Sequence, residues 1–161
     1  MQSRGANVES VIIVPMINFK NFFEKTVIGL IEEMDIAGIG RVQAKIDSGN
    51  GAYNVLGISD LTVQGSKVTF TTINNKRLIK DITNTVSINV GAGHVEERPV
   101  VLFRVKFAGQ EFDNIPFSLG NRENNEYKVL VGKDFINQLD ALIDVNSTKI
   151  ANDLIEVEYT K

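Results

Sequence analysis

Hydrophobic and polar residues alternate along most of this chain in short runs that are typical of β-strands. In Arg41–Ile46, for example, Val42, Ala44 and Ile46 fall on one face of an extended segment. Turns rich in glycine and asparagine, such as Gln64-Gly65-Ser66, separate the runs. The pattern predicts strands over Val27–Glu32, Arg41–Ile46, Leu61–Val63, Lys67–Thr72, Arg77–Ile82, Val86–Val90, Pro99–Phe107, Glu111–Leu119, Val129–Val131 and Asp153–Tyr159. We therefore expect an all-β fold, either a small barrel or a sandwich.

The N-terminal segment has a different pattern. A short apolar run at Val11–Val14 predicts one further strand, which Pro15 ends. Three phenylalanines, Phe19, Phe22 and Phe23, then recur at helical spacing and predict a short amphipathic helix over Asn18–Lys25. The phenylalanine face of that helix would either cover an open face of the domain or dock a protein partner.

A second short helix is predicted over Lys133–Leu139, between two runs of β pattern. The chain has no internal repeat and no linker-like segment that would divide the β pattern in two. We therefore expect residues 1–25 to form an N-terminal extension and residues 26–161 to form a single β-barrel domain.

Composition restricts the chemistry that this domain can perform. The chain has 161 residues and a single histidine, His94. It has no cysteine, which excludes thiolate metal sites, disulfides and a cysteine nucleophile. Its net charge of −3 argues against a nucleic-acid partner. No apolar run is long enough to cross a bilayer, and no signal peptide is recognisable, so we expect no membrane association. The expected location is the cytoplasm, or the virion if the protein comes from a phage.

Two segments carry candidate chemistry. In Ala44–Gly51, a predicted strand delivers Asp47, then the hydroxyl of Ser48, then Gly49. Alone, an Asp-Ser-Gly tripeptide marks many turns at strand ends, so it says little about function. The second segment, Tyr127–Ile136, contains an apolar strand, a glycine and a basic–acidic pair that opens the predicted helix. The dinucleotide fingerprint, the phosphate loop and the zinc-protease motif are all missing from the chain.

Together these segments resemble those of the retropepsin-like aspartic proteases, in which a strand carrying Asp-Thr/Ser-Gly is supported by an apolar strand ending in glycine. The resemblance is greatest to the bacterial and phage branch often labelled "ATP-dependent zinc protease", which includes ribosome-modification-associated proteins. The matching segments are, in order, Val27–Glu32, Ala44–Asn50, Glu96–Val101, Leu119–Arg122 and Val129–Ile136. The resemblance implies a small closed barrel of the retropepsin type with one or two short helices.

It also implies an activity and a set of site residues. The activity would be aspartic endopeptidase, with catalysis by Asp47, Ser48 and Gly49. The residues that would form a flap over a bound peptide are Val90, Gly91, Ala92, Gly93 and His94. The residues that would support the catalytic loop from behind are Val131, Gly132, Lys133 and Asp134.

The resemblance further implies a homodimer acting on a protein or peptide. Peptide hydrolysis by carboxylates needs two of them sharing a proton, and this chain has only one Asp-Ser-Gly motif. The second carboxylate would therefore be Asp47 of another copy, related by a two-fold axis. Such a dyad needs neither a metal nor a cofactor, and we expect none.

Two positions depart from the family pattern, and they leave the function open. Asn50 stands where alanine is usual, and Lys133 stands where arginine is usual. Lysine provides a point charge where arginine would offer a planar, bidentate partner to a carboxylate. The alternative is a non-catalytic structural or interaction module within a larger viral or ribosome-linked assembly, docked through Phe19, Phe22 and Phe23.

Overall fold

The computed structural model describes residues 25–51 and 53–151. Within them the chain forms eleven strands and one helix, so the predicted all-β class is confirmed. The elements are β1 (Thr26–Ile36), β2 (Gly40–Ile46), β3 (Asn54–Gly57), β4 (Ser59–Gln64), β5 (Lys67–Thr71), β6 (Arg77–Asp81), β7 (Asn84–Gly91), β8 (His94–Phe107), β9 (Gln110–Gly120), β10 (Val129–Val131), α1 (Lys133–Leu139) and β11 (Ala141–Thr148).

Six of the strands pair into a closed ring. Their order is β1, β2, β10, β3, β9 and β8, and a short pairing of β8 with β1 at Asp35 and Ile36 completes it. Strand β11 lies outside the ring as a parallel partner of β1, and β7 pairs with β8 as the outer strand of a long hairpin. The short strand β10 lies between β2, to which it is parallel, and β3, to which it is antiparallel.

The interior of the ring holds the hydrophobic core. Alternate residues of the ring strands point inward, as the period of two requires, and several of them are fully buried. Phe103 and Phe117 meet edge to face across β8 and β9, with their ring centroids 5.6 Å apart. A separate antiparallel sheet, β4-β5-β6, buries Val68 and Phe70 in the same core.

Most predicted strands are found, with shifted ends. The apolar strand Val129–Val131 and the helix Lys133–Leu139 occur with the predicted bounds. Strand β8 begins at His94 rather than Pro99, because Gly91 and His94 pair directly across a two-residue turn and continue the ladder.

Two strands were not predicted. Strand β3 has only four residues, all buried, so it shows no alternation; strand β11 is held mainly by its parallel pairing to the distant β1. The predicted strands Val11–Val14 and Asp153–Tyr159 lie outside the described residues, as do residues 18–24 of the predicted helix with its three phenylalanines. No helix of the described residues is long and apolar enough to cross a membrane.

Candidate active site

Asp47 is the first residue after β2, and the turn that follows is organised around it. Its side-chain oxygen Oδ1 accepts a hydrogen bond from the Gly49 N–H at 3.2 Å, and its carbonyl oxygen accepts one from the Asn50 N–H at 3.1 Å. These are the local bonds that make aspartate favourable at the start of a turn. The Asp47 side chain is half-buried, whereas Ser48 and Gly49 are exposed at the tip.

Strand β10 fixes the position of this loop from behind. The Asp47 N–H donates to the Val131 carbonyl oxygen at 2.9 Å, which extends the β2–β10 ladder to the candidate catalytic residue. Val131 and Gly132 therefore lie beside Asp47 in the structure, although more than eighty residues separate them in the chain.

Gly132 sits where the backbone of the loop passes too closely to admit a side chain. A Cβ atom at this position would lie 2.9 Å from the Tyr53 carbonyl oxygen and 3.1 Å from that of Gly51. Carbon and oxygen atoms do not approach so closely without a shift of the backbone. The glycine therefore allows the strand carrying Val131 to pack directly against the residues that follow Asp47.

Asn54 holds the same two segments together, a role that was not predicted from the sequence. Its side chain is 3% exposed, and its Oδ1 accepts a hydrogen bond from the Gly132 N–H at 2.8 Å. An asparagine that begins an apolar run directly after a glycine-rich loop is the one signal in the sequence that could have indicated this role, since a polar group that becomes buried needs a partner.

Asn50 also acquires a structural role here. Its side-chain Nδ2 donates to the Tyr53 carbonyl oxygen at 3.1 Å, and its own carbonyl oxygen accepts from the Lys133 N–H at 3.1 Å. The loop is thus closed on itself and joined to the start of α1. The departure from alanine at this position adds a side-chain hydrogen bond within the loop.

Lys133 supports the loop through its backbone, and no hydrogen bond joins Asp134 to the loop in the part of the chain that the structure describes. The Lys133 contact is made by its N–H, and both side chains are exposed at the start of α1. In the described residues neither side chain forms an ion pair. The replacement of arginine by lysine therefore leaves this backbone contact in place.

The residues predicted as a flap form the tip of the β7–β8 hairpin. Ala92 and Gly93 occupy its two turn positions with φ of 52° and 77°, the left-handed pair that a two-residue hairpin turn requires. Gly91 and His94 flank the turn, Val90 precedes Gly91 on β7, and all of these residues are exposed. Within the described residues no hydrogen bond joins this tip to the Asp47 loop.

The hairpin is connected to the loop at its base instead. The Asn84 side-chain Nδ2, at the start of β7, donates to the Tyr53 hydroxyl at 2.8 Å. Tyr53 therefore contacts the hairpin through its hydroxyl and the Asp47 loop through its carbonyl oxygen. Nothing in the sequence pattern indicates this link.

Two arginines lie on the same side of the domain as Asp47. The Arg98 guanidinium pairs with Glu96 at 2.8 Å and packs against Gly120, leaving that side chain 16% exposed. Arg122 donates from Nε to the Tyr127 carbonyl oxygen at 2.8 Å. Burial lowers the pKa of Arg122, and the positive charge of Arg98 lowers it further, while the Asp47 carboxylate acts in the opposite direction.

No group of three or more His, Asp or Glu side chains in the described part of the chain is arranged to hold a metal ion. Beside Asp47 the described residues place the Ser48 hydroxyl and the Gly49 N–H, and the Arg122 guanidinium is close enough for its charge to interact with the Asp47 carboxylate.

The model of the RimB-like family, described as retropepsin-like aspartic endopeptidase RimB, matches residues 27–153. This chain belongs to that family. The match covers the β ring except for Thr26, the first residue of β1, and includes the Asp47 loop and the supporting strand, so the predicted family is confirmed. Among curated proteins no relative matches the sequence.

A solved structure supports the fold of this RimB-like chain. The crystal structure of a protein with unknown function (DUF785) from Legionella pneumophila subsp. pneumophila str. Philadelphia 1 is similar, with a TM-score of 0.65 at 22% identity. The similarity covers 78% of this chain and 98% of the Legionella chain. At this level of identity it establishes a shared fold.

The structure also shows a role for the glycine and the glutamate of Val27–Glu32, the first segment of the family resemblance. The fully buried Glu32 carboxylate accepts hydrogen bonds from the N–H groups of Gly29, Ile150 and Ala151, at 2.7 to 3.2 Å. A Cβ at Gly29 would lie 2.4 Å from the Ser147 carbonyl oxygen. In this RimB-like chain the Gly-x-x-Glu pattern therefore fastens the segment after β11 onto β1.

Proposed function

We propose that this protein is an aspartic endopeptidase whose active site forms from two copies of Asp47 in a homodimer. The observation that carries the proposal is the Asp47 loop itself. It presents a half-buried carboxylate beside an exposed Ser48-Gly49 tip and is fixed by backbone hydrogen bonds to β10 and α1. A loop held in this way can bring a carboxylate repeatedly to one position, which catalysis requires.

The chemistry follows from placing two such carboxylates side by side. Like charges about 3 Å apart cannot both ionise, so the pair shares one proton. The ionised carboxylate takes a proton from a water molecule, which attacks the peptide carbonyl carbon. The protonated carboxylate meanwhile donates its proton to the carbonyl oxygen. Collapse of the resulting diol, with proton transfer to the nitrogen, breaks the C–N bond.

The loop tip suits a two-fold contact. Ser48 and Gly49 are exposed in the single chain, so a partner loop could reach them. A Cβ at Gly49 would lie 3.6 Å from Asp47 Oδ1, an ordinary distance, so none of the described residues of one chain requires glycine there. Close approach of a second copy of the loop across a two-fold axis would leave no room for a side chain at Gly49. Each Ser48 hydroxyl would then hydrogen-bond to the partner loop.

The test compares Asp47→Asn with a matched Asp60→Asn variant. Asp60 is exposed on β4 and has a φ of 53°, a conformation that asparagine tolerates well, so this control makes the same chemical change away from the site. A peptide library is incubated with each protein from acidic to neutral pH, and products are read by mass spectrometry. We expect cleavage by the wild type and Asp60→Asn, and none by Asp47→Asn.

Mixing the subunits tests whether two copies make one site. When wild-type and Asp47→Asn chains are mixed in varying ratio at a constant total concentration and exchange is complete, only dimers of two wild-type chains retain the dyad. Activity should therefore fall as the square of the wild-type fraction. A linear fall, cleavage by Asp47→Asn, or a strictly monomeric protein in sedimentation would contradict the proposal and favour a non-catalytic module.

A further inference from the structure

Asn50-Gly51 is the only Asn-Gly dipeptide in the chain, and it lies within the Asp47 loop. Because glycine has no side chain, the backbone nitrogen that follows the asparagine can approach the asparagine side-chain carbon without steric hindrance. This approach is the first step of intramolecular deamidation. The sequence therefore places the dipeptide most prone to this reaction three residues after the candidate catalytic aspartate.

The structure leaves the attacking group accessible. Gly51 is exposed, and its N–H donates to none of the described residues. Lys133 donates to the Asn50 carbonyl oxygen, the other end of the same peptide unit, at 3.1 Å. A hydrogen bond at the carbonyl polarises the peptide and makes the Gly51 N–H more acidic. Among the described residues, a single hydrogen bond of 3.1 Å to Tyr53 holds the side-chain amide.

We infer that Asn50 is a site of spontaneous deamidation that alters the Asp47 loop. The Gly51 nitrogen loses its proton to hydroxide and bonds to Asn50 Cγ. Water then protonates Nδ2 as the bond from Cγ to Nδ2 breaks, which releases ammonia and regenerates hydroxide. Water then opens the cyclic imide at either of its two carbonyls. One opening gives aspartate, and the other gives isoaspartate with one more atom in the main chain.

Either product removes the contact that closes the loop. The Asn50 amide donates to the Tyr53 carbonyl oxygen, whereas a carboxylate can only accept, so two acceptors would face each other. Isoaspartate would also lengthen the chain between Asp47 and β3. The deamidated loop therefore loses the geometry that presents Asp47, and activity declines as the protein ages; this consequence rests on the proposed function.

The modification is tested without any assay of activity. The full-length protein is incubated at neutral and mildly alkaline pH, and peptide mapping follows Asn50 together with Asn146, an exposed asparagine that precedes Ser147. The matched variant is Gly51→Ala. A Cβ there would meet none of the described residues within 4 Å, and the backbone needs no left-handed conformation, so the variant should fold normally.

We expect conversion at Asn50 well before Asn146, acceleration with rising pH, formation of isoaspartate, and strong suppression in Gly51→Ala. Conversion of Asn146 first, or equal rates at Asn50 in wild type and Gly51→Ala, would overturn the inference.

A second readout separates this inference from the proposed function. Peptide cleavage by each protein is compared with its own starting value over the same incubation. Activity of the wild type should fall in step with conversion at Asn50, while Gly51→Ala keeps its starting value. If Asn50 converts but fresh protein cleaves no peptide, the proposed function fails and the modification stands. If activity persists in fully converted protein, the stated consequence for the loop is wrong.

Discussion

The Asn54 side-chain oxygen accepts a hydrogen bond from the Gly132 N–H at 2.8 Å, in a buried position behind the Asp47 loop. The bond joins β3, which follows the loop, to the end of β10, which supports it. Both partners are removed from solvent, so neither can exchange this bond for one to water. The position of Asp47 thus depends on a buried polar contact between two residues outside the Asp-Ser-Gly motif.

Replacing Asn54 with alanine should therefore destabilise the fold. The variant leaves the Gly132 N–H buried without its partner, which costs about 1–3 kcal/mol of unfolding free energy. Urea unfolding followed by circular dichroism measures this directly. The matched control is Asn137→Ala on the exposed side of α1, expected to change stability by no more than about 0.5 kcal/mol. Equal effects of the two changes would show that the Asn54 bond contributes nothing.

Gly132→Ala should also destabilise the protein, for a steric reason. The added methyl group would collide with the Tyr53 carbonyl oxygen, and relief of that contact by backbone movement costs about 1–3 kcal/mol. Thermal unfolding is the measurement, and Gly51→Ala is the control because its Cβ enters open space. If Gly132→Ala is as stable as Gly51→Ala, the close packing of strand and loop is not required.

Glu32→Gln should lower stability without touching the Asp47 loop. The carboxylate accepts from three backbone N–H groups, and the amide of glutamine would turn an NH2 group toward at least one of them. Loss of a hydrogen bond to a charged group costs about 1.5–3 kcal/mol. Hydrogen exchange should show faster exchange at Ile150 and Ala151 in the variant. Unchanged protection of these two amides would contradict the role assigned to Glu32.

Asp144 provides a prediction on pH. Hydrogen bonds from the Ser147 hydroxyl, at 2.7 Å, and from the Asn146 N–H hold the pKa of its carboxyl below its usual range. A depressed pKa means that the contribution to stability is present above the unfolded-state pKa and is lost as the pH falls through the folded-state pKa. In Ser147→Ala the pKa of Asp144 should rise toward the ordinary value, as carboxyl NMR titration measures. A pKa that does not move would show that the hydroxyl is not the main cause.

Parts of the fold were predictable because their pattern is local. Strand β10 and helix α1 were found with the correct bounds because a buried apolar run, a glycine and an amphipathic segment follow one another directly. Strand β3 was missed because its four buried residues show no alternation. Strand β11 was missed because its parallel pairing to β1 joins residues more than a hundred positions apart.

The candidate site likewise contains residues that could be predicted from the sequence and residues that could not. Asp47, Ser48 and Gly49 could be named from the sequence, as could the supporting Val131 and Gly132, because they stand in recognisable segments. The roles of Asn50, Tyr53 and Asn54 could not, because each depends on which backbone atom lies opposite the side chain.

By itself, the sequence determined that this is an all-β RimB-like chain with a candidate aspartate at the end of its second strand. Alternation of side chains and the order of motifs are properties of the chain that need no coordinates to recognise. The tertiary structure alone decided how that aspartate is held: by the Val131 carbonyl oxygen, by Asn54 on Gly132, and by Asn50 closing the loop on Tyr53. Hydrogen bonds and steric exclusion act over a few ångströms, so they become specific only after folding has brought distant segments together.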